Sequence, residues 1–207
     1  MIVVHHLNNS RSQRILWLLE ELGTPYEIEH YQRLDTGLAP PELKAVHPLG
    51  KSPVITDGER TITESGAIVD YLISTYGGGR FAPARDSADW WPYVSWLHFA
   101  EGSAMTPLLL ALYAGRLGEA AAPLMPRIGE QMTAHIGYLS QSLGDRSFLI
   151  GDDLTGADIM SSFVLEASGA RGPLQAFPNL VAYLERLHAR PAYQAALDKG
   201  GPYQIGR

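Results

Sequence analysis

Apolar side chains along this chain recur first at mixed periods and then at a single helical one. Residues 2–7, IVVHHL, form a run rich in β-branched side chains closed by the turn formers Asn8, Asn9 and Ser10, which predicts a short buried strand. Ile15, Leu18, Leu19 and Leu22 then fall at helical spacing, with Glu20 and Glu21 on the outward side and Gly23 as the stop. Residues 25–31, PYEIEHY, alternate and predict a second strand. Strand, helix, strand in that order favours a parallel pair joined by a right-handed crossover. Pro41 opens a short helix through Val46. SPVIT and RTIT flank Asp57-Gly58-Glu59, an Asp-Gly hairpin signal. From Ser65, the spacing of Ile68, Tyr71, Leu72 and Thr75 predicts an amphipathic helix that ends at Gly77-Gly78-Gly79.

GGGRFAPARDS, residues 77–87, reads as a linker, and beyond it strand signals nearly vanish. Trp90, Val94, Leu97, Glu101 and Met105 follow one another down a long helix that runs on to Tyr113, with a bend expected at Thr106-Pro107. Ile128, Met132, Ile136, Leu139 and Leu143 repeat the helical spacing, and residues 157–168, 179–190 and 192–197 supply further helices. The expected organisation is an α/β domain over 1–79 (βαβ, short helix, ββα), a linker over 80–87 and an all-helical domain over 88–207. Thr155-x-x-Asp158 has the form of a reciprocal helix cap and is assigned to folding.

Composition narrows the function classes. The 207 residues are 45% hydrophobic and 18% charged, as in an ordinary globular protein with a substantial core. A net charge of -6 with no basic stripe argues against nucleic-acid binding. No apolar run approaches a membrane span and the N-terminus lacks a leader pattern, so a soluble, cytoplasmic protein is expected. The absence of cysteine removes disulfides, thiolate metal sites and a cysteine nucleophile. Seven histidines make no HxxxH or HExxH pair, and His5 and His6 point to opposite faces of a strand, so no metal site is expected.

The order βαβ–ββα, with GKSPV entering the hairpin, resembles a thioredoxin-like domain. Joined to a helical domain of this length it resembles a cytosolic glutathione transferase over essentially the whole chain. The residues that carry the resemblance are SRSQR after the first strand, HPLGKSPVI, TESGAIVDYL, and LTGADI at 154–159. The serine and its distance to Arg14 are similar to theta- and phi-like members, which are of the serine type. The tyrosine-type classes place a Tyr near the first strand, and VVHHLNNS has none.

The resemblance implies a site for glutathione as co-substrate. Pro53 would follow a cis bond, exposing the backbone of Ser52 to the cysteinyl part. Glu64 would accept from the γ-glutamyl amine, and Ser65, at a helix start whose N–H groups and dipole welcome an anion, would hold the adjoining carboxylate. Lys51 matches the position of the cation for the glycyl carboxylate, with His47 near it where many relatives carry asparagine. Ser10 would donate its hydroxyl to the thiol, with Ser12 and Asn9 as alternatives. Serine before a helix also serves as a plain N-cap. Arg11 and Arg14 flank this turn, and Arg14 would brace the two domains.

Leu7, His98, Met105 and Tyr113 are the expected walls of an apolar electrophile pocket between the first domain and the long helix. Relatives are homodimers, and Glu101 corresponds to an acid that reaches the γ-glutamyl amine across the dimer. The expected activity is conjugation of the glutathione thiolate to electrophilic, mostly apolar small molecules. Glutathione-dependent peroxide reduction or isomerisation, and a non-catalytic interaction module of the same fold, are the alternatives.

Overall fold

A computed structural model describes residues 1–205, and these form two units: residues 1–80 with 188–205, and residues 81–187. The first is built on a four-stranded sheet, order β2-β1-β3-β4, from β1 (Ile2–Leu7), β2 (Tyr26–Tyr31), β3 (Val54–Asp57) and β4 (Arg60–Thr63). β1 and β2 are parallel, as the strand–helix–strand order requires, while β3 runs antiparallel to both β1 and β4. The hairpin turns over Gly58 and Glu59, and Gly58 at φ 59° supplies the left-handed conformation that a two-residue turn needs.

Helix α1 (Gln13–Leu22) crosses from β1 to β2 and buries Ile15, Leu16, Trp17, Leu18, Leu19 and Leu22. So many consecutive buried positions need cover on two sides, and α1 has it: β1 and α3 (Ser65–Tyr76) on one side and α9 (Pro191–Gly200) on the other. Gly23 ends α1 in the left-handed conformation at φ 68°, its N–H bonded to the Leu19 and Glu20 carbonyls. The sequence boundary assigns everything past residue 88 to the helical domain, yet the stretch from 188 packs with the first unit. Glu20 and Glu21 hold it there. Glu20 accepts from Tyr26 Oη at 2.6 Å and Lys199 Nζ at 2.5 Å. Glu21 accepts from Trp17 Nε1 at 2.8 Å and from Arg190 Nε and Nη2 at 2.5 and 3.0 Å. A carboxylate on the far side of an amphipathic helix normally faces water, but here it is the contact surface for a helix 170 residues away in the chain, roughly, which no local period reports.

The second unit is helical: α4 (Trp90–Phe99), α5 (Met105–Gly115), α6 (Met125–Leu143), α7 (Gly156–Arg171) and α8 (Pro178–His188). The long helix expected to bend at Thr106-Pro107 is instead divided by a π-helical stretch, Ala100–Ala104, where Met105 N–H reaches back five residues to the Ala100 carbonyl. Pro107 explains the position. It has no N–H for the Ser103 carbonyl and its ring crowds that oxygen, so the turn before it widens. Thr106 Oγ1 donates to the Gly102 carbonyl at 3.2 Å across the same turn. On α6 the buried residues are Ile128, Met132, Ile136, Leu139 and Leu143, the five that the helical period marks.

Helix α7 starts with Thr155 as N-cap and Asp158 completing the reciprocal capping box. Asp158, with no exposed surface, also accepts from Leu149 N–H at 2.9 Å and from the buried Tyr183 hydroxyl. One carboxylate thus ties a loop, the start of α7 and the middle of α8 together. Among the described residues, no helix is long and apolar enough to cross a membrane.

Candidate functional site

Strand register brings three turns to one end of the sheet. His5 of β1 pairs with Val54 of β3, which pairs with Thr63 of β4. The carboxyl end of β1, the start of β3 and the end of β4 therefore share an edge, and the chain leaves it as the Ser10 turn, Ser52-Pro53 and Glu64-Ser65. Ligands in α/β sheets gather at such carboxyl-end edges. The Ser52–Pro53 bond is cis. Ser52 Oγ donates to the His5 carbonyl at 2.8 Å and accepts from Leu7 N–H at 3.3 Å, which fastens this turn to β1 by its side chain.

Ser10 is 4% exposed and Ser12 is fully enclosed. Their hydroxyl oxygens lie 2.8 Å apart, Ser12 N–H donates to Ser10 Oγ at 3.2 Å, and Ser12 Oγ lies 2.9 Å from His6 Nδ1 and 3.3 Å from the Leu7 carbonyl. Ser12 is the N-cap of α1 by position but its hydroxyl makes no capping bond. It is spent on the interior instead. Of the two serines only Ser10 retains any surface from which to meet a ligand.

Asn9, the third candidate donor, turns the chain at φ 52°, a conformation asparagine tolerates. Its Oδ1 accepts from Gln204 N–H at 2.6 Å and its carbonyl from Arg33 Nη2 at 3.1 Å. These bonds give it a role in shaping the turn.

Glu64 stands at φ 65°, ψ 121°, as the residue before α3, and its side chain makes no capping bond. A non-glycine residue in that region carries about 1–3 kcal/mol of strain, which marks a place where conformation serves something other than stability. Its carboxylate is exposed, Ser65 is 4% exposed, and the first turn of α3 contains no acidic side chain. The N–H groups of that turn have no intrahelical acceptor and form an anion site beside a free carboxylate. Lys51 is exposed at the same edge. His47 ends the short helix α2 (Leu43–Val46), its N–H bonded to the Leu43 carbonyl and its Nδ1 accepting from Leu49 N–H at 3.4 Å. Its backbone thus closes α2 while its ring joins the turn that follows.

In the helical unit, Glu101 lies half-buried in the π-helical stretch. Leu7 and Met105, each 3% exposed, belong to the cores of separate units, and His98 and Tyr113 are 15 residues apart on one helical run, about 22 Å at 1.5 Å per residue. A cavity of about 320 Å³ does open in this unit, against Ser103, Pro107, Leu110, Arg127, Ile128 and His135, and none of the four expected walls lines it. Spacing along a helix identifies a face, whereas a cavity depends on which neighbouring helix leaves that face uncovered.

Residue-type reasoning also missed His6. It is 2% exposed, its ring stands edge-on to His30 at 5.8 Å, and its pKa is pushed down to about 4, by burial first and then by His30, while a backbone hydrogen bond with Gly200 acts the other way. The imidazole is therefore neutral at pH 7. Its only signal in the sequence is adjacency to His5 in a strand.

Comparison with known proteins agrees on one family. Residues 1–74 match the model of the glutathione S-transferase N-terminal domain and residues 104–191 that of the C-terminal domain. The chain is 34% identical to glutathione S-transferase 3 of Schizosaccharomyces pombe, over 96% of this chain and 88% of that protein. It is 29% identical to glutathione S-transferase 1 of Saccharomyces cerevisiae, over 96% and 95%. Among solved structures, a glutathione S-transferase from Actinobacillus pleuropneumoniae superposes with a TM-score of 0.88 at 38% identity, covering 97% of this chain and 93% of that one. A sphingomonad glutathione S-transferase complexed with glutathione gives 0.80 at 25% identity, over 96% and 98%.

Proposed function

This chain belongs to the glutathione S-transferase family and is a glutathione transferase, and on that premise we propose that glutathione lies along the shared edge of the sheet with Ser10 as the hydroxyl donor to its thiol. The observation that carries the reading is the convergence of the Ser10, Ser52-Pro53 and Glu64-Ser65 turns. From β1 to β4 is two strand spacings, about 10 Å, and an extended tripeptide at about 3.4 Å per residue has the same reach. The γ-glutamyl amine donates to Glu64, and the adjoining carboxylate takes the N–H groups and hydroxyl at the start of α3. The Ser52 backbone bonds the cysteinyl unit, and Lys51 meets the glycyl carboxylate. With the ends fixed, the cysteinyl sulfur falls towards β1 and the Ser10 turn. The protein acts as a cytoplasmic homodimer in which Glu101 of one subunit adds a second acceptor for the amine of glutathione bound to the other.

The electrophile is a small apolar molecule carrying a leaving group or an activated double bond. Ser10 Oγ–H donates to the developing thiolate, which lowers the thiol pKa, and the thiolate attacks the electrophilic carbon. Support for an apolar co-substrate comes from the exposed apolar side chains on α5 and just past it, Leu110, Tyr113 and Leu117.

Calorimetric titration of glutathione, with conjugation of a nitro-activated aryl halide measured in parallel, tests the assignment. Glu64→Gly separates conformation from chemistry: glycine relieves the positive φ, so the melting temperature holds or rises, while loss of the carboxylate weakens glutathione binding about tenfold. Lys51→Ala costs less, about threefold, because the ammonium is exposed and screened. Normal affinity in Glu64→Gly would remove the γ-glutamyl end from this edge. Hydroperoxide turnover faster than aryl conjugation would replace the transfer reading with peroxide reduction at the same site.

A further inference from the structure

We propose that His6 is a positioning residue which, through Ser12, fixes the direction of the hydrogen bond between Ser12 and Ser10, so that Ser12 competes with the bound thiolate for the Ser10 proton. This rests on the reading of Ser10 as thiol donor and assigns roles to two residues that the glutathione site does not itself use.

The direction follows from counting protons. Helix α9 ends at Gly200 against the His6 ring: a Cβ at position 200 would lie 3.4 Å from His6 Nε2 and only 2.9 Å from Leu16 Cδ1. Glycine permits that approach. The backbone hydrogen bond between His6 and Gly200 favours the protonated ring nitrogen, so its acceptor is a carbonyl oxygen, which accepts and never donates. Nε2, the ring nitrogen facing Gly200, therefore carries the proton. A neutral imidazole has one N–H and one lone pair, which makes Nδ1 an acceptor.

Ser12 Oγ, 2.9 Å away, is the donor to that lone pair. The Leu7 carbonyl at 3.3 Å is its other possible acceptor, but turning the hydroxyl there would leave a buried nitrogen without a donor. Ser12 has a single hydroxyl proton, and once it is given to His6, the 2.8 Å contact between the serines has one polarity left. Ser10 Oγ–H donates to Ser12 Oγ.

The Ser12 N–H still donates to Ser10 Oγ at 3.2 Å, which holds the oxygen in place while its proton rotates. When glutathione binds, the Ser10 hydroxyl must leave Ser12 to meet the sulfur. The thiolate prevails because a charge-assisted bond is the stronger. It prevails by less than it would if Ser12 offered no acceptor. The enzyme thus keeps its thiol donor oriented in the free state and gives up part of the thiol activation for that order.

Two measurements test this on the full chain. Ring 15N chemical shifts at pH 7 report the His6 tautomer directly and need no variant: a neutral Nε2–H ring is expected, and an Nδ1–H or charged ring reverses the relay and overturns the proposal. Thiolate absorbance of bound glutathione against pH is then compared for wild type, Ser12→Ala and Ser10→Ala. Ser12→Ala is expected to lower the thiol pKa by about half a pH unit, the effect of removing one neutral competing bond. Ser10→Ala is expected to raise it. If Ser10→Ala raises the pKa while Ser12→Ala leaves it unchanged or raises it too, the competition is refuted and the Ser10 assignment stands. If Ser10→Ala changes nothing, the donor assignment fails and the relay fails with it.

Discussion

Replacing Ser10 with alanine raises the thiol pKa of bound glutathione by about one to two pH units, since a hydrogen bond to a charged group contributes about 1.5–3 kcal/mol and each pH unit corresponds to 1.36 kcal/mol. The kinetic consequence is smaller than that number suggests. A thiol of pKa about 8.5 is about 3% ionised at pH 7, and one of about 6.5 is about 75% ionised, a gain near 25-fold. Nucleophilicity falls with basicity, and a slope of about 0.45 removes about eightfold of that gain. Ionisation alone therefore changes kcat/KM about threefold at pH 7. Any larger loss in Ser10→Ala measures how far the hydroxyl also orients the sulfur towards the electrophile. The sign across pH is fixed by the same argument. The thiol ionises unaided above about pH 8.5, so the ionisation part of the defect disappears there and the mutant thiolate is intrinsically the more reactive. A pH profile of kcat/KM for both proteins checks this: the ratio of wild type to mutant shrinks as pH rises from 6 to 9.5, roughly, and a ratio independent of pH would mean that Ser10 does not act through the thiol pKa.

Asp158→Ala produces the largest loss of stability, about 3–5 kcal/mol, with no direct effect on the thiol chemistry. Asp158 is fully buried and takes bonds from Leu149 N–H, Thr155 N–H, Thr155 Oγ1 at 2.9 Å and Tyr183 Oη, from three separate stretches of chain. Alanine leaves these donors facing one another in a site closed to water, and an unsatisfied buried donor costs about 1–3 kcal/mol even though such costs do not add fully. Asparagine keeps one acceptor but turns an NH₂ towards donors, so Asp158→Asn recovers only part of the loss. Thermal unfolding of the variants measures it, with a fall of roughly 10 °C expected for alanine in a chain of this size. The thiol pKa of glutathione bound to the folded fraction stays at the wild-type value, because Asp158 touches none of the residues assigned to that ligand. A melting temperature within about 1 °C of wild type would show that the four bonds contribute little, contrary to their burial.

Both effects trace to features that the chain shows unequally in its sequence. β1 over residues 2–7, the Asp-Gly hairpin, the stop at Gly23 and the five core positions of α6 were legible because each depends on a period or a turn residue acting over a few neighbours. The Thr155–Asp158 box was legible for the same reason, but the bonds from Leu149 and Tyr183 that make Asp158 so costly to remove were not. His6 and Gly200 meet across nearly the full length of the chain, and so do Glu20 with Lys199 on α9 and Glu21 with Arg190 just before it. No local pattern announces a helix returning from the C-terminal end to cover α1. The cavity beside the π-helical stretch escapes the sequence for a related reason. His98, Met105 and Tyr113 share a helical run, yet the π-helical stretch before Pro107 divides it, and burial of Met105 depends on the helices packed around it.

The residues proposed for glutathione were easier to nominate because Ser10, Ser52-Pro53 and Glu64-Ser65 each lie in a short turn and their residue types are chemically constrained. A serine that must donate, an acid that must accept and an N-terminal turn that must receive a carboxylate leave few substitutes. The strain at Glu64 adds what residue types could not give: the carboxylate is held at the edge by a backbone conformation unfavourable for any side chain. The hydroxyl direction at Ser10 was not readable at all, since it depends on the tautomer of a histidine whose acceptor lies at the far end of the chain.

The most direct test of the central claim is the thiolate absorbance of glutathione bound to the wild-type protein, titrated against pH at saturating ligand. A thiol delivered to Ser10 titrates near pH 6.5, about two pH units below free glutathione. A bound thiol that still titrates near 8.5 would mean that glutathione occupies the protein without its sulfur reaching the Ser10 turn.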